Sequence, residues 1–278
     1  MSGWSLSHVT ADGVAMAVHR RGRGPALVCL SAIGHDVHDF DALAERVGDR
    51  FSLVCIEWPS HGQSGDDATP VSAQRFADLT TAVLDRLGLE PPMILGNSIG
   101  GAAAILHAAR RPVRGLVLCD SGGLVAVTPL IRRVCGVYEG LYAGGERGAW
   151  WFGAASALTY RFILPSPAAA AQRRRIVASL PRLAGKLREG WASFGRAGAD
   201  IRHVAAALDV PIWVAWAKRD PVIPYGACRP ALDRLRRATT TLFPGGHSPF
   251  LEQPDAFADG LLAFADGLRR PAAVRAAS

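Results

Sequence analysis

The stretch Met93-Ile94-Leu95-Gly96-Asn97-Ser98-Ile99-Gly100-Gly101 constrains this chain more than any other. Three apolar residues run into a serine flanked by glycines, and a helical stretch to Arg110 follows. A serine in G-x-S-x-G spacing between a strand and a helix occupies a tight turn, where glycines let neighbouring backbone come close. The turn would leave the Ser98 hydroxyl at the carboxyl end of a strand. The chain is therefore expected to fold around a sheet with its chemistry along that edge.

The remaining sequence supplies the sheet. Residues 26–30, 51–56, 93–95, 113–119 and 212–217 are short, mostly apolar runs, as expected of parallel strands buried on both faces. Helical spacing lies between them: Phe76, Leu79, Val83 and Leu87 recur at three and four residues, with Ser72 as N-cap and Gly88 as stop. Phe257, Leu261, Phe264 and Leu268 repeat the pattern. Two alternating stretches, 5–10 and 14–19, joined through Ala11-Asp12-Gly13, read as an antiparallel hairpin at a sheet edge. Together these predict an α/β fold, a mostly parallel sheet with helices on both faces. The alternation breaks over 121–200, which offers helical patterns around 129–142, 149–162 and 168–194 but no strand. Lying between two strands, it is expected to be an inserted helical cap. Residues 1–120 and 201–270 would then form the core, and the alanine-rich tail 271–278 would fray.

A serine hydroxyl is a weak nucleophile and needs a base oriented by a third group. In this strand-turn-helix setting the acid and then the histidine follow the serine along the chain. Asp220 lies in the loop after 212–217, and His247 lies beyond 239–243, which reads as the last strand. Alone, Asp220 before Pro221 is a turn residue and His247 a solvated loop histidine. In that order, each after a strand, Ser98, Asp220 and His247 are the expected catalytic residues. Asp120, which also follows a strand, is the competing carboxylate; Asp220 is preferred because its loop leads directly to the histidine segment. Plainer readings suffice for His61 in a turn, His107 on a helix, and His35 and His38 in a flexible loop.

These residues resemble the α/β-hydrolase superfamily over almost the whole chain outside 121–200. Gly24-Pro25 looks like the usual entry to the first parallel strand, and Glu57-Trp58-Pro59-Ser60-His61-Gly62-Gln63-Ser64 is similar to the family's D-x-P-G-H-G-x-S loop. Residues 220–224 and 246–254 look like its acid and histidine loops. The resemblance implies the α/β-hydrolase fold and a serine hydrolase that cleaves a carboxylic ester, lactone or thioester through an acyl-enzyme, without metal or organic cofactor. It also implies an oxyanion hole of backbone N–H groups, for which Ile33 and Ile99 are the expected donors. Where the family usually has His-Gly after the first parallel strand, this chain has Ser31-Ala32. Carbon-carbon hydrolases of ring-cleavage products commonly carry tryptophan after the histidine. Ser248 here favours ester chemistry, with carbon-carbon hydrolysis and a non-hydrolytic lyase or cyclase as the alternatives. Within the cap, Trp150, Trp151, Arg188 and Arg196 are the residues expected to meet substrate.

Composition narrows the partners. The formal charge of +7 comes from dispersed arginines with one cluster, Arg173, Arg174 and Arg175, and no nucleic-acid-binding motif accompanies it. A small-molecule substrate is expected, without nucleic acid. Five dispersed cysteines with no CxxC pair point to reduced thiols and a cytoplasmic setting. No run approaches the ~20 apolar residues of a membrane span, so no membrane partner is expected.

Overall fold

The computed structural model describes residues 3–269. Eight strands form one sheet: β1 (Ser5–Ala11), β2 (Val14–Gly22), β3 (Ala26–Leu30), β4 (Ser52–Ile56), β5 (Met93–Asn97), β6 (Gly115–Cys119), β7 (Ile212–Ala217) and β8 (Ala238–Phe243). Their spatial order is β1-β2-β4-β3-β5-β6-β7-β8. The β1-β2 hairpin and the β2-β4 pair are antiparallel, and every later pair is parallel. β5, β6 and β7 are buried at every residue, whereas Thr239, Thr240 and Thr241 of the edge strand β8 are exposed. Strands covered on both faces select uninterrupted apolar runs.

Helices cover both faces. α1 (Asp41–Val47) packs beside α10 (Pro254–Arg269), and α2 (Ala73–Leu87) packs beside α3 (Ile99–Ala108). Ser72 caps α2, its hydroxyl accepting from the Arg75 N–H at 3.1 Å, and Gly88 closes the helix in the left-handed conformation. Four short helices carry no readable period in the sequence: α1, α7 (Arg202–Ala207), α8 (Tyr225–Leu232) and α9 (Pro249–Glu252). One or two turns repeat too few positions to reveal a helical face.

β4 lies on one side of β3 and β5 on the other, so the strand order reverses at β3. The loops leaving β3 and β5 diverge there and open a crevice at the carboxyl edge of the sheet. Between β6 and β7 the chain forms α4 (Pro129–Glu146), α5 (Phe152–Ile163) and α6 (Ala170–Phe194). α6 reaches over the crevice loops. Gln172 donates to the carboxylates of Asp36 and Asp39, Arg182 to the Ser60 carbonyl and Lys186 to the Asp67 carbonyl, while Glu189 accepts from the Val71 N–H. The tail at 271–278 lies outside the described residues.

Candidate active site

Ser98 occupies the turn between β5 and α3 with φ 55° and ψ −121°, a conformation that is strained for a residue with a Cβ. Surrounding bonds hold it there. Its N–H donates to the Cys119 carbonyl at 3.1 Å, and its carbonyl accepts from the N–H groups of Gly101 (3.0 Å) and Gly122 (2.8 Å). The two outer glycines of the motif are required by contact. A Cβ on Gly96 would collide with the Gly100 carbonyl, and one on Gly100 with the Leu30 carbonyl at the end of β3.

His247 and Asp220 come from the loops after β8 and β7. Nδ1 of His247 lies 2.8 Å from Oδ2 of Asp220, and both residues are buried. Burial alone would raise the Asp220 carboxyl. The adjacent imidazole and the N–H groups of Val222 and Ile223 outweigh it and hold the group below the usual carboxylate range. With Nδ1 facing Asp220, Nε2 is the nitrogen left for the cavity, which His247 and Ser98 line together.

Asp120 has a different part. It sits at φ 41° beyond β6, and its Oδ1 accepts from the Ala217 N–H at 2.8 Å. Complete burial, then the charge of nearby Asp220, push its carboxyl far above the ordinary range. Burial and the neighbouring negative charge both favour the uncharged form of this acid. No hydrogen bond joins Asp120 to His247 among the described residues.

Two residues have supporting contacts that the sequence did not indicate, Asn97 and His61, the latter expected only as a turn residue. Asn97, a free position in the G-x-S-x-G pattern, donates through Nδ2 to the carbonyls of Cys119 (3.1 Å) and His247 (3.0 Å), and its Oδ1 accepts from the Ser248 hydroxyl (3.0 Å). It thus joins the serine strand to the histidine loop. His61 is fully buried. Its Nε2 accepts from the Gly34 N–H at 2.8 Å, and Nδ1 lies 2.8 Å from the Pro59 carbonyl. Burial pushes its pKa down to about 4, against the pull of that carbonyl, which keeps Nε2 an acceptor at neutral pH. The loop Ser31 to His35 is held further by the Trp58 indole N–H, which donates to the Ser31 carbonyl at 2.9 Å. Only the hydrogen-bonding capacity of such residues was available as a signal, since neither position shows its partner in sequence.

Ile33 and Ile99, the two expected backbone donors, flank the serine. Ile99 opens α3, so its N–H has no acceptor one turn back in the helix. No hydrogen bond from the Ile33 N–H to another group occurs among the described residues. Both residues line a cavity of about 300 Å³ with Ser98 and His247. Its walls are largely apolar, with Val125, Ile131, Trp191 and Phe194 contributed by the segment between β6 and β7. Arg196 lines it too. Arg188 instead pairs with Glu146 at 2.6 Å, Trp150 is 94% exposed, and half-buried Trp151 packs against Gly144; none of these three lines the cavity. Among the described residues no group of three or more His, Cys, Asp or Glu side chains is arranged to hold a metal ion.

Ser98 thus stands strained at a strand-to-helix turn and lines one cavity with His247, whose imidazole pairs with Asp220. A sequence model of the α/β hydrolase family matches residues 27–260, and the chain belongs to that family; it is a hydrolase of the α/β fold. It is 29% identical to a pimeloyl-[acyl-carrier protein] methyl ester esterase of Xanthomonas campestris, over 89% of this chain and 97% of that one. Among solved structures, a thermophilic esterase from Thermogutta terrifontis superposes with a TM-score of 0.81 at 17% identity, covering 96% of this chain and all of that one. The enol-lactonase from Burkholderia xenovorans does so with 0.77 at 17% identity, covering 94% of this chain and all of that one.

Proposed function

We propose that the protein is a serine esterase that cleaves the carboxylic ester, lactone or thioester bond of a small-molecule substrate. The reading rests above all on the Asp220-His247 hydrogen bond in the same cavity as the strained Ser98. His247 takes the Ser98 proton as Oγ attacks the carbonyl, and Asp220 orients the imidazole and stabilises its charged form. The N–H groups of Ile33 and Ile99 receive the oxyanion. His247 then protonates the departing alcohol and activates the water that releases the acyl group. Residues 121–200 act as a cap whose apolar wall takes the organic part of the substrate, with Arg196 at its margin. The methyl ester substrate named for the Xanthomonas relative supports ester chemistry. Five free, buried cysteines support a cytoplasmic setting.

The test is covalent. A fluorophosphonate should modify Ser98 in the folded protein, identified by peptide mass, and should fail on Ser98→Ala. Unmodified wild-type protein that also leaves short-chain aryl esters intact would refute the assignment.

A further inference from the structure

We propose that His35, oriented by Asp39, is a second polar contact for substrate and binds a hydroxyl that the ester carries a few bonds from its carbonyl. The proposal rests on the esterase reading above and narrows its substrate class.

The cavity holds two imidazoles with carboxylate partners. Proton transfer to and from Ser98 needs one of them, His247. The other is His35, two residues past Ile33 in the loop after β3, and it too lines the cavity. Its Nδ1 lies 2.8 Å from Oδ2 of Asp39, and both side chains are almost wholly buried. Asp39 is fixed in turn from α6, where the Gln172 amide donates to its Oδ1 at 2.8 Å. The ring is therefore held at one nitrogen. Among the described residues no hydrogen bond reaches its Nε2. Nε2 is not among the polar atoms sealed in the interior without a partner, so a ligand can reach it. Here the open side is the cavity.

The surroundings select the partner. Tyr160 lies against the His35 ring, with centroids 6.0 Å apart, and both Tyr160 and Tyr142 line the cavity. Burial holds both phenols protonated, so they remain hydrogen-bond donors. This corner is polar in an otherwise largely apolar cavity, an arrangement that orients a ligand rather than merely retaining it. A hydroxyl both donates and accepts, so it complements Nε2 in either protonation state of the ring. A carboxylate at this place would face the Asp39 carboxylate through the ring, and an alkyl group would leave Nε2 unpaired. Two residues of chain span at most about 7 Å, so Ile33 and His35 can address the carbonyl and the hydroxyl of one small molecule.

The experiment compares kcat/KM for methyl octanoate, methyl 3-hydroxyoctanoate and methyl 6-hydroxyoctanoate, using wild type, His35→Leu and His35→Gln. One hydroxylated ester should be preferred over methyl octanoate by about tenfold or more in wild type. The preference should fall to near one in His35→Leu and be partly kept in His35→Gln, which retains a hydrogen-bonding side chain. A ratio between substrates does not depend on the fraction of folded enzyme, so a purely structural role for His35 would not change it. Equal rates on all three esters in wild type, or a preference unchanged in His35→Leu, overturns the contact while leaving the esterase reading intact. Failure to cleave any of the three by enzyme whose Ser98 still reacts with the fluorophosphonate overturns the hydroxy-ester assignment alone; the esterase reading falls only if that adduct and aryl-ester cleavage are absent too.

Discussion

β6 and α4 follow one another along the chain and answer to different constraints. All five residues of β6 are buried, whereas only Cys135, Tyr142, Gly144 and Gly145 are buried among the eighteen of α4. The contrast extends to the two regions they represent. Residues 121–200 hold 11 of the 31 basic residues and 4 of the 24 acidic ones, so the whole formal charge of +7 falls on the helical segment and the remainder is balanced. Among the described residues, six of the eight large apolar side chains that stand exposed are there too: Leu130, Val134, Val137, Trp150, Leu158 and Phe162. Packing dictates the residues of the sheet. In the helical segment, where much of the surface is open, packing leaves many positions undetermined.

The sharpest way to break the comparison is to ask whether the reaction resides in the sheet loops alone. Ser98→Ala or His247→Ala should lower kcat by about 10⁴-fold or more on every ester cleaved. Trp191→Ala in α6 should instead redistribute kcat/KM among esters of different acyl length. Equal losses on all esters from Trp191→Ala would erase the distinction. Next in size is packing. Leu118→Ala in β6 should lower unfolding free energy by about 2–5 kcal/mol in denaturant titrations, against about 0.5 kcal/mol or less for Leu130→Ala in α4. Asn97→Ala should cost about 2–4 kcal/mol, because it strands the His247 carbonyl and the Ser248 hydroxyl in the interior. Its kcat should fall as well.

A separate effect concerns pH. Burial raises Glu252, behind the histidine loop, to about 7 from its ordinary 4.5, although the Gly246 N–H donates to it at 2.8 Å. The folded chain therefore binds a proton that the unfolded chain releases between those values, and Glu252 subtracts stability as pH rises through that window. Glu252→Gln should raise Tm at pH 8, with the gain shrinking towards pH 4. His61 has the opposite sign, since its folded value near 4 lies below the ordinary 6.5. It removes stability as pH falls from 6.5 to 4.

What could be read in the sequence follows the same division. The sheet was legible because strands buried on both faces must be apolar throughout, and the turn at Ser98 because steric contact admits only glycine at positions 96 and 100. That Asp220 and His247 would meet was legible from their order after strands. Within 121–200 the helices could be read from their period but not their phase. Trp150 and Arg188 were expected at substrate and lie elsewhere: Trp150 falls in the turn between α4 and α5, and an arginine in a helix does not announce which side faces the cavity. Asn97, His61 and His35 act through partners 20 to 150 residues away or through a cavity wall, and no local pattern encodes that.

The main chain of His247 adds a practical lesson. Its N–H donates at 2.8 Å to the carbonyl of Ile163, the last residue of α5 and an acceptor that the helix itself leaves open. Segments like 121–200 invite transplantation between relatives as self-contained modules, with seams drawn at the strand ends. Such a graft would carry away part of the seat of His247. Because the acceptor is backbone, any amino acid can furnish it, but the incoming helix must stop at the same point in space. A chimera should therefore be judged first on where its second helix ends, and only then on the side chains it brings.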